Sequence, residues 1–521
     1  MMKRANIIAW LMLVSIVAVS QQTYQLVFNQ PYYAPGDTAY FSLRTQNDNP
    51  ASSNGVLSMS LYDVTNHLLS IRFKVNNGIG QNQFVVPKNL KSGGYQILIF
   101  NQGQTTTLLQ TGFAVGGPLQ NEDQSQLQIE INTEKLQTTR SSSKVDFSLV
   151  DDNGKPLNGE LTISVMNASV LQGELLSVNV QKEVSIPNRM ILEGQLIDRR
   201  SQRPLPDSTQ MMLYFQKSRL RYLTSVRTNG YFRSEILDYY GEDELFLIAE
   251  TPDGSIVSDL EVVWENGLPT PSSKPQTIGA NDFKYADFIQ KKRLIDESYG
   301  FYIKRDSFLI KTSTGSRLDV IEPDYRVKPR DYVLFDNLGK FIQNIVDPLY
   351  FKETEEGGVM RVRFLKPYPA TASPLYVING VVTLDTEYFL SLDQDDIEEL
   401  NVVMDYRKLV RFGLLGKNGI VIVKTRYGEE KPPIDQNKLL TGLNRPIVPS
   451  QQEEEMGNPI RPDFRACVHY QANVAVRNGQ ASIEYKNSDD LGPVVIQVKG
   501  LTEDGQPFSG LFNYEVILKN R

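Results

Sequence analysis

At 521 residues the chain is long enough for about three to four domains of roughly 150 residues, which excludes a single compact core. Hydrophobic residues make up 40% and charged residues 22%, enough to fill several cores and too little apolar material for a polytopic membrane protein. Lys and Arg number 54 against 61 Asp and Glu, so a formal charge of -7 lacks the basic footprint of a nucleic-acid binder.

One cysteine, Cys467, excludes an intrachain disulfide, and with only two histidines, His67 and His469, the chain has little material for zinc or for the commonest acid, base and nucleophile chemistry. At the N-terminus, Lys3 and Arg4 precede a nearly all-apolar run over 7–19, and Ala18-Val19-Ser20 offers small residues where a signal peptidase reads. This predicts a signal peptide over 1–20 with the mature chain starting at Gln21. The run falls short of the ~18–20 residues that span a bilayer. No Cys follows it to carry a lipid, and no other segment reads as a spanning helix. The expected localisation is exported, periplasmic or outer-membrane-associated, with the cell-surface face also open.

From Thr23 onward short apolar strands alternate with Pro, Gly and Asn turns, which predicts a β-sandwich over 21–118. Strict alternation in Leu127-Gln-Ile-Glu-Ile-Asn132, and at Val145, Phe147 and Leu149, predicts a second sandwich over 119–190. A third runs over 191–266. A strand-turn-proline pattern recurs at Leu149-Val-Asp-Asp-Asn-Gly-Lys-Pro-Leu157, Leu196-Ile-Asp-Arg-Arg-Ser-Gln-Arg-Pro-Leu205 and Leu501-Thr-Glu-Asp-Gly-Gln-Pro-Phe508. It is turn chemistry, since these acidic loops lack the spaced ligand set of an EF-hand.

Residues 267–300 read as a linker and a helix. Pro and Ser over 269–275 form the linker, Asn281 or Asp282 caps the helix, and Phe283, Ala286 and Ile289 form its docking stripe. Mixed strands and short helices predict an α+β domain over 301–430. A second linker over 431–460 carries Pro432, Pro433, Pro446, Pro449 and the acidic run Glu453 to Glu455, read as a solvated spacer. The last segment, 461–521, is a β segment expected to pair back onto an earlier domain.

Several residue groups invite a chemical reading and meet a simpler one. Cys467 and His469 are two apart on a strand, ~6.5 Å along the chain, too far for a thiolate–imidazole pair. Asp393, Asp395, Asp396, Glu398 and Glu399 stand where a short helix begins, where negative charge suits the dipole. Lys217, Arg219, Arg221 and Arg227 alternate as on a solvated strand face, with a surface for an acidic partner or lipid headgroups as the alternative. Gly413, Gly416 and Gly419 lack the Lys-Ser/Thr of a phosphate loop and read as turn glycines. The 25 tyrosines favour protein interfaces.

Four stretches resemble known families. Tyr33-Ala-Pro-Gly-Asp-Thr-Ala-Tyr-Phe41 with Pro87 and Gly94-Tyr95 resembles the MG2 module of the α2-macroglobulin family. Ile191-Leu-Glu-Gly-Gln-Leu-Ile-Asp198, Pro204-Leu205 and Thr228-Asn-Gly-Tyr-Phe232 resemble a carboxypeptidase regulatory-like domain. Pro374-Leu-Tyr-Val-Ile-Asn-Gly380, Asp396-Ile-Glu-Glu-Leu-Asn-Val-Val403 and Gly413-Leu-Leu-Gly-Lys-Asn-Gly-Ile-Val-Ile-Val-Lys-Thr425 together resemble the plug domain of TonB-dependent receptors, especially those of Bacteroidota. Asn379 departs from that pattern, standing where the family usually has Asp. Asn478-Gly-Gln-Ala-Ser-Ile-Glu-Tyr485 resembles the later macroglobulin region. The macroglobulin thioester motif is absent, and too few residues follow Gly428 for the receptor barrel.

The resemblances imply a mostly β, multi-domain chain: an MG2-like sandwich, a second macroglobulin-like sandwich, a carboxypeptidase regulatory-like sandwich, a plug-like α+β domain and a macroglobulin-like C-terminal β segment. They imply a non-enzymatic scaffold or interaction subunit of an outer-membrane assembly, whose partner is an outer-membrane barrel protein or complex. No catalytic, cofactor or metal residues are expected. The alternative is a soluble carbohydrate- or peptide-binding accessory protein of a TonB-dependent uptake system. The plug resemblance places partner contacts at Pro374, Leu375, Tyr376, Val377, Asn379, Gly380, Gly416, Asn418 and Gly419. The strands over 375–378 and 420–423 are expected as edges with backbone groups to be paired in cis or by a partner.

Overall fold

The computed structural model describes residues 22–46, 54–101, 107–119, 127–182, 186–265, 267–279, 283–299, 318, 321–355, 357–363, 370–433, 438–447 and 462–519. The expected signal peptide, the capping residues Asn281 and Asp282, residues 301–317 and the run Glu453 to Glu455 lie outside them. The chain is mostly β and multi-domain, with strands in several separate sheets.

In the first sandwich one sheet has the order Ser177–Lys182, Gln22–Phe28, Thr38–Gln46, Ile79–Val85, and the other Asn66–Val75, Gly55–Asp63, Gly93–Phe100, Thr107–Val115. Tyr24, Leu26 and Phe28 alternate inward to meet Leu57, Met59 and Phe113 in one core. The outward residues of the same strand are buried too, because the second sandwich covers that face. Gln25 donates to the Gly500 carbonyl at 3.1 Å, Ser42 Oγ lies 3.0 Å from Thr162 Oγ1, and the buried Arg44 guanidinium sits 2.8 Å from the Glu160 carboxylate. Strand Ser177–Lys182 pairs antiparallel with Gln22–Phe28 and so belongs to the first sandwich, although it follows the second sandwich's strands in the chain.

The second sandwich contains Leu127–Asn132, Ser142–Leu149 and Gly159–Asn167, with Ile129, Ile131, Val145, Phe147 and Leu149 inward as their alternation requires. Four strands of the terminal segment join them: Cys467–Val476 and Gly492–Thr502 flank Gly159–Asn167, Gln480–Lys486 pairs Ser142–Leu149, and Pro507–Ile517 lies between Gly492–Thr502 and Leu127–Asn132. The core is therefore filled from two stretches of chain about 300 residues apart. Burying each of its large apolar side chains contributes about 1.5–3 kcal/mol.

The third sandwich packs Met190–Asp198, Tyr231–Ile236 and Leu260–Trp264 over a sheet of Arg221–Ser225, Gln210–Phe215, Glu242–Glu250 and Ile256–Val257. The expected spacer over 431–460 behaves otherwise across its described part. Leu439–Thr441 adds a strand to Glu242–Glu250, and Leu440 and Leu443 are buried in the third core. Beyond them Asn444 donates to Asn82 Oδ1 and the Gln83 carbonyl at 2.6 Å each, so the segment straps the third sandwich to the first. Apolar leucines in a proline-bounded stretch make burial more favourable than solvation.

The first linker also lies against the protein. A Cβ at Gly94 would stand 1.8 Å from the Gln276 carbonyl oxygen, so only glycine lets this segment run over strand Gly93–Phe100. Helix α1, Phe283–Ser298, follows. Its docking stripe is displaced from the expected one: Ala286 is exposed, whereas Tyr285 is buried and Phe288 and Ile289 pack beside it. Tyr285 wins because its ring meets Tyr32 edge-on at 5.4 Å while its hydroxyl reaches polar partners.

The α+β unit is built on a five-stranded sheet in the order Tyr325–Val327, Ile397–Val403, Ile420–Thr425, Leu375–Ile378, Val381–Thr383. Leu375–Ile378 and Ile420–Thr425 run parallel at its centre. Short helices surround it: α2, Leu338–Ile345; α3, Thr386–Leu390; and α4, Tyr406–Leu409. Asn337, Asp385 and Asp405 cap them, accepting from the backbone N–H of Lys340, Tyr388 and Arg407. The strands over 375–378 and 420–423, expected as edges, are both interior. Each has a strand on either side: Ile397–Val403, which the second motif covers, pairs Ile420–Thr425, and the short Val381–Thr383, which no motif revealed, pairs Leu375–Ile378.

Candidate interaction surface

The nine residues expected to contact a partner converge on the centre of this sheet and the turns that flank it. Leu375, Tyr376 and Val377 are 1%, 0% and 0% exposed, with Tyr376 stacked on Phe389 at 4.4 Å. Their side chains hold the sheet against its helices. Pro374 is buried beside them. Asn418 is 4% exposed, and its Oδ1 accepts from the N–H of Thr371 at 3.0 Å and of Ala372 at 3.2 Å. Gly416 packs so closely under Leu409 that a Cβ would lie 2.5 Å from its carbonyl oxygen, and Gly419 has a φ of +85°.

Asn379 and Gly380 turn the chain between Leu375–Ile378 and Val381–Thr383, with φ of 47° and 86°. The Asn379 amide donates to Thr425 Oγ1 at 2.7 Å and to the Glu430 carbonyl at 2.8 Å, and its Oδ1 accepts from Thr425 N–H at 3.0 Å. A carboxylate could keep the last of these and accept from the Thr425 hydroxyl, but it has no hydrogen for the Glu430 carbonyl. The departure from the family's aspartate thus has a local reason in this chain.

Strand Val381–Thr383 ends the sheet, and the third sandwich covers that edge. Gln216 Nε2 donates to the Val382 carbonyl at 2.8 Å and its Oε1 accepts from Val382 N–H at 2.9 Å, so one side-chain amide does what a further strand would do. Met212, Tyr214 and Ile248 of the same sandwich enter the core of the α+β unit, and Lys417 pairs with Glu250 at 2.6 Å. The seam is a continuous core with a polar border.

Among the apolar residues that the α+β unit exposes are those of the loop Tyr332-Val333-Leu334. Val333 is 76% and Leu334 67% exposed, an arrangement that water disfavours. The loop is held from within: buried Gln394 donates to the carbonyls of Pro329 and Val333 and accepts from Phe335 N–H, while Phe335 and Tyr332 both meet Phe341 edge-on at 5.9 Å. Motif reasoning missed this loop. Its signal in the sequence is four consecutive apolar or aromatic residues before the helix-capping Asn337.

The remaining groups resolve as follows. Cys467 Sγ lies 3.5 Å from Ser164 Oγ and 3.7 Å from the Asn29 carbonyl oxygen, whereas the His469 ring stacks on Tyr485 at 5.2 Å. Asp393 caps a single turn of 3-10 helix, and Glu399 lies 3.1 Å from Arg326 and 3.4 Å from Lys424. The basic stretch is not one strand face: 216–218 is a turn, Arg219 has a φ of 59°, and only Arg221 begins a strand. Asp243 sets this turn by accepting from the N–H of Lys217 and Ser218 at 2.8 Å. Among the described residues there is no cluster of His, Cys, Asp or Glu that could hold a metal ion, and no helix long and apolar enough to cross a membrane.

No protein-family model matches the chain. It is 25% identical over 272 residues to a TonB-dependent receptor of Formosa agariphila, a match covering 48% of this chain and 26% of the receptor. Among solved structures, trypsin-activated alpha-2-macroglobulin from Escherichia coli matches at 10% identity and a TM-score of 0.24, covering 96% of this chain and 42% of that one. Salmonella alpha-2-macroglobulin reacted with methylamine matches at 9% identity and a TM-score of 0.23, covering 95% and 39%. The chain spans about a quarter of the length of the curated receptor it matches, and its similarity to that receptor is distant.

Proposed function

We propose that this protein is a non-enzymatic interaction subunit of an outer-membrane assembly, in which linked β-sandwiches carry the α+β unit and the Tyr332-Val333-Leu334 loop docks on an outer-membrane barrel protein. The observation that carries the reading is the loop itself: exposed apolar residues on a rigid support, in a domain whose strands at the expected contact residues are already paired on both sides. Covering Val333 and Leu334 would contribute about 1.5–3 kcal/mol each. The distant similarity to a TonB-dependent receptor supports the outer-membrane setting. Cys467 faces Ser164 and the Asn29 carbonyl while the His469 ring stacks on Tyr485, which supports a non-enzymatic role.

The test is affinity capture of the full chain from gently solubilised outer membranes, followed by mass spectrometry, with wild type beside Val333→Asp/Leu334→Asp. A stoichiometric barrel protein lost in the variant, at unchanged melting temperature, is the expected result. Release of a bound sugar or peptide from the wild type, with no protein partner, would favour a carbohydrate- or peptide-binding accessory instead.

A further inference from the structure

A second surface, of different chemistry and independent of the Tyr332-Val333-Leu334 loop, lies at the seam between the third sandwich and the α+β unit. Arg221 begins the last strand of the sandwich sheet, and Arg411 follows helix α4. Folding brings both over one ring: the guanidinium carbons stand 5.2 Å and 4.8 Å from the centroid of the buried Phe412. Arg221 Nη1 also donates to the Arg411 carbonyl at 3.2 Å. Two like charges are thereby held close together.

Their neighbours are neutralised. Lys417 pairs with Glu250, Lys408 with Asp324 and Arg407 with Asp405. Among the described residues, no carboxylate lies within 4.0 Å of either Arg221 or Arg411. In a chain of net charge -7 carboxylates are plentiful, so a converged cation pair without one is poised for an anion from outside. The rim is apolar. Leu223, two residues along and therefore on the same face of the strand as Arg221, is 60% exposed, and Val410, next to Arg411, is 52% exposed. Tyr406, four residues before Val410, is exposed as well.

We propose that Arg221 and Arg411, with Leu223 and Val410 beside them, form a docking site for a partner protein's acidic peptide segment in which carboxylates alternate with apolar side chains. The paired guanidiniums take the carboxylates in their planar forks, and the exposed Leu and Val cover the apolar residues between them. An inorganic anion would use only the first half of this surface.

The test is fluorescence anisotropy of a labelled peptide of alternating Glu and Leu titrated with the full-length protein. Wild type should bind, more weakly as salt is raised because exposed charges are screened. The double variant Arg221→Gln/Arg411→Gln should bind about tenfold more weakly, and Arg411→Gln alone, whose side chain is exposed and leaves the seam folded, at least about threefold more weakly. Arg407→Gln, four residues before Arg411 but paired with Asp405, should bind as wild type does. Unchanged binding in Arg411→Gln with its melting temperature preserved would overturn the proposal. So would tighter binding of heparin or of phosphatidylglycerol vesicles through the same arginines, which would make the site a general polyanion or lipid surface.

Discussion

The Tyr285 hydroxyl lies 2.6 Å from the Asp37 carboxylate, joining helix α1 to the Pro35-Gly36 turn across 248 residues of sequence. Gln30 Oε1 is 2.9 Å from the same hydroxyl, which has one proton to give, and the charged carboxylate is the stronger acceptor. Arg293 adds a bond of 2.7 Å to the Pro35 carbonyl.

Tyr285→Phe keeps the ring on Tyr32 and removes the hydroxyl, leaving Asp37 with its bond from the Ala34 N–H. The expected loss is about 1–3 kcal/mol of stability by denaturant unfolding, because a buried acceptor loses its partner. Hydrogen exchange should quicken within α1. Unchanged protection there would show that the apolar contacts of Phe288 and Ile289 alone hold the helix.

Burial, outweighing the Tyr285 bond and the Ala34 N–H, holds the Asp37 carboxyl above its usual range. The folded protein therefore binds this proton more tightly than the unfolded chain does. Its contribution to stability is fully present below the unfolded value of about 3.9 and is lost as pH rises through the folded value. Relative to Asp37→Asn, wild type should be most favoured near pH 4 and progressively less so toward neutrality, as read by melting temperatures across that range. A difference that grows with pH would contradict the assignment.

Gln216→Glu keeps the length of the side chain that closes the Val382 edge and removes its donor. A carboxylate can still accept from Val382 N–H but faces the Val382 carbonyl with no hydrogen. The expected cost is about 1–3 kcal/mol at neutral pH. Faster exchange should appear at Val381–Thr383, and not in the interior strand Leu375–Ile378. Equal exchange in both variants would mean that the edge does not depend on this amide.

Asn379→Asp restores the residue usual in the resembling family and is expected to destabilise this chain, since the bond donated to the Glu430 carbonyl disappears and a carboxylate faces that oxygen instead. About 1–3 kcal/mol should be lost at neutral pH, with partial recovery on acidification as the new carboxyl regains one donor. Differential scanning calorimetry at two pH values checks this. A neutral or stabilising substitution would sink the explanation given for asparagine at this position.

Much of the local structure was legible from residues near one another. Alternation placed Ile129 and Ile131 inward. Asn478-Gly479 has the residue types of a tight turn, and both adopt positive φ, 49° and 73°, between Cys467–Val476 and Gln480–Lys486. The interaction residues were less legible. The motif around Leu375 marks a sheet centre, and whether such residues face a partner or a core depends on what covers them, which no motif states.

Local pattern determined that strands, caps and turns exist, because side-chain period and backbone preference act within a few residues. Only the tertiary structure decided that Ser177–Lys182 joins the first sandwich, that the terminal strands fill the second, and that Gln216 closes an edge belonging to another domain. Backbone hydrogen bonds are the same in every strand, so pairing is chosen by the summed packing of side chains far apart in sequence. The convergence of Arg221 and Arg411 on Phe412 is set in the same way, by the burial of Met212, Tyr214 and Ile248 that draws the two domains together.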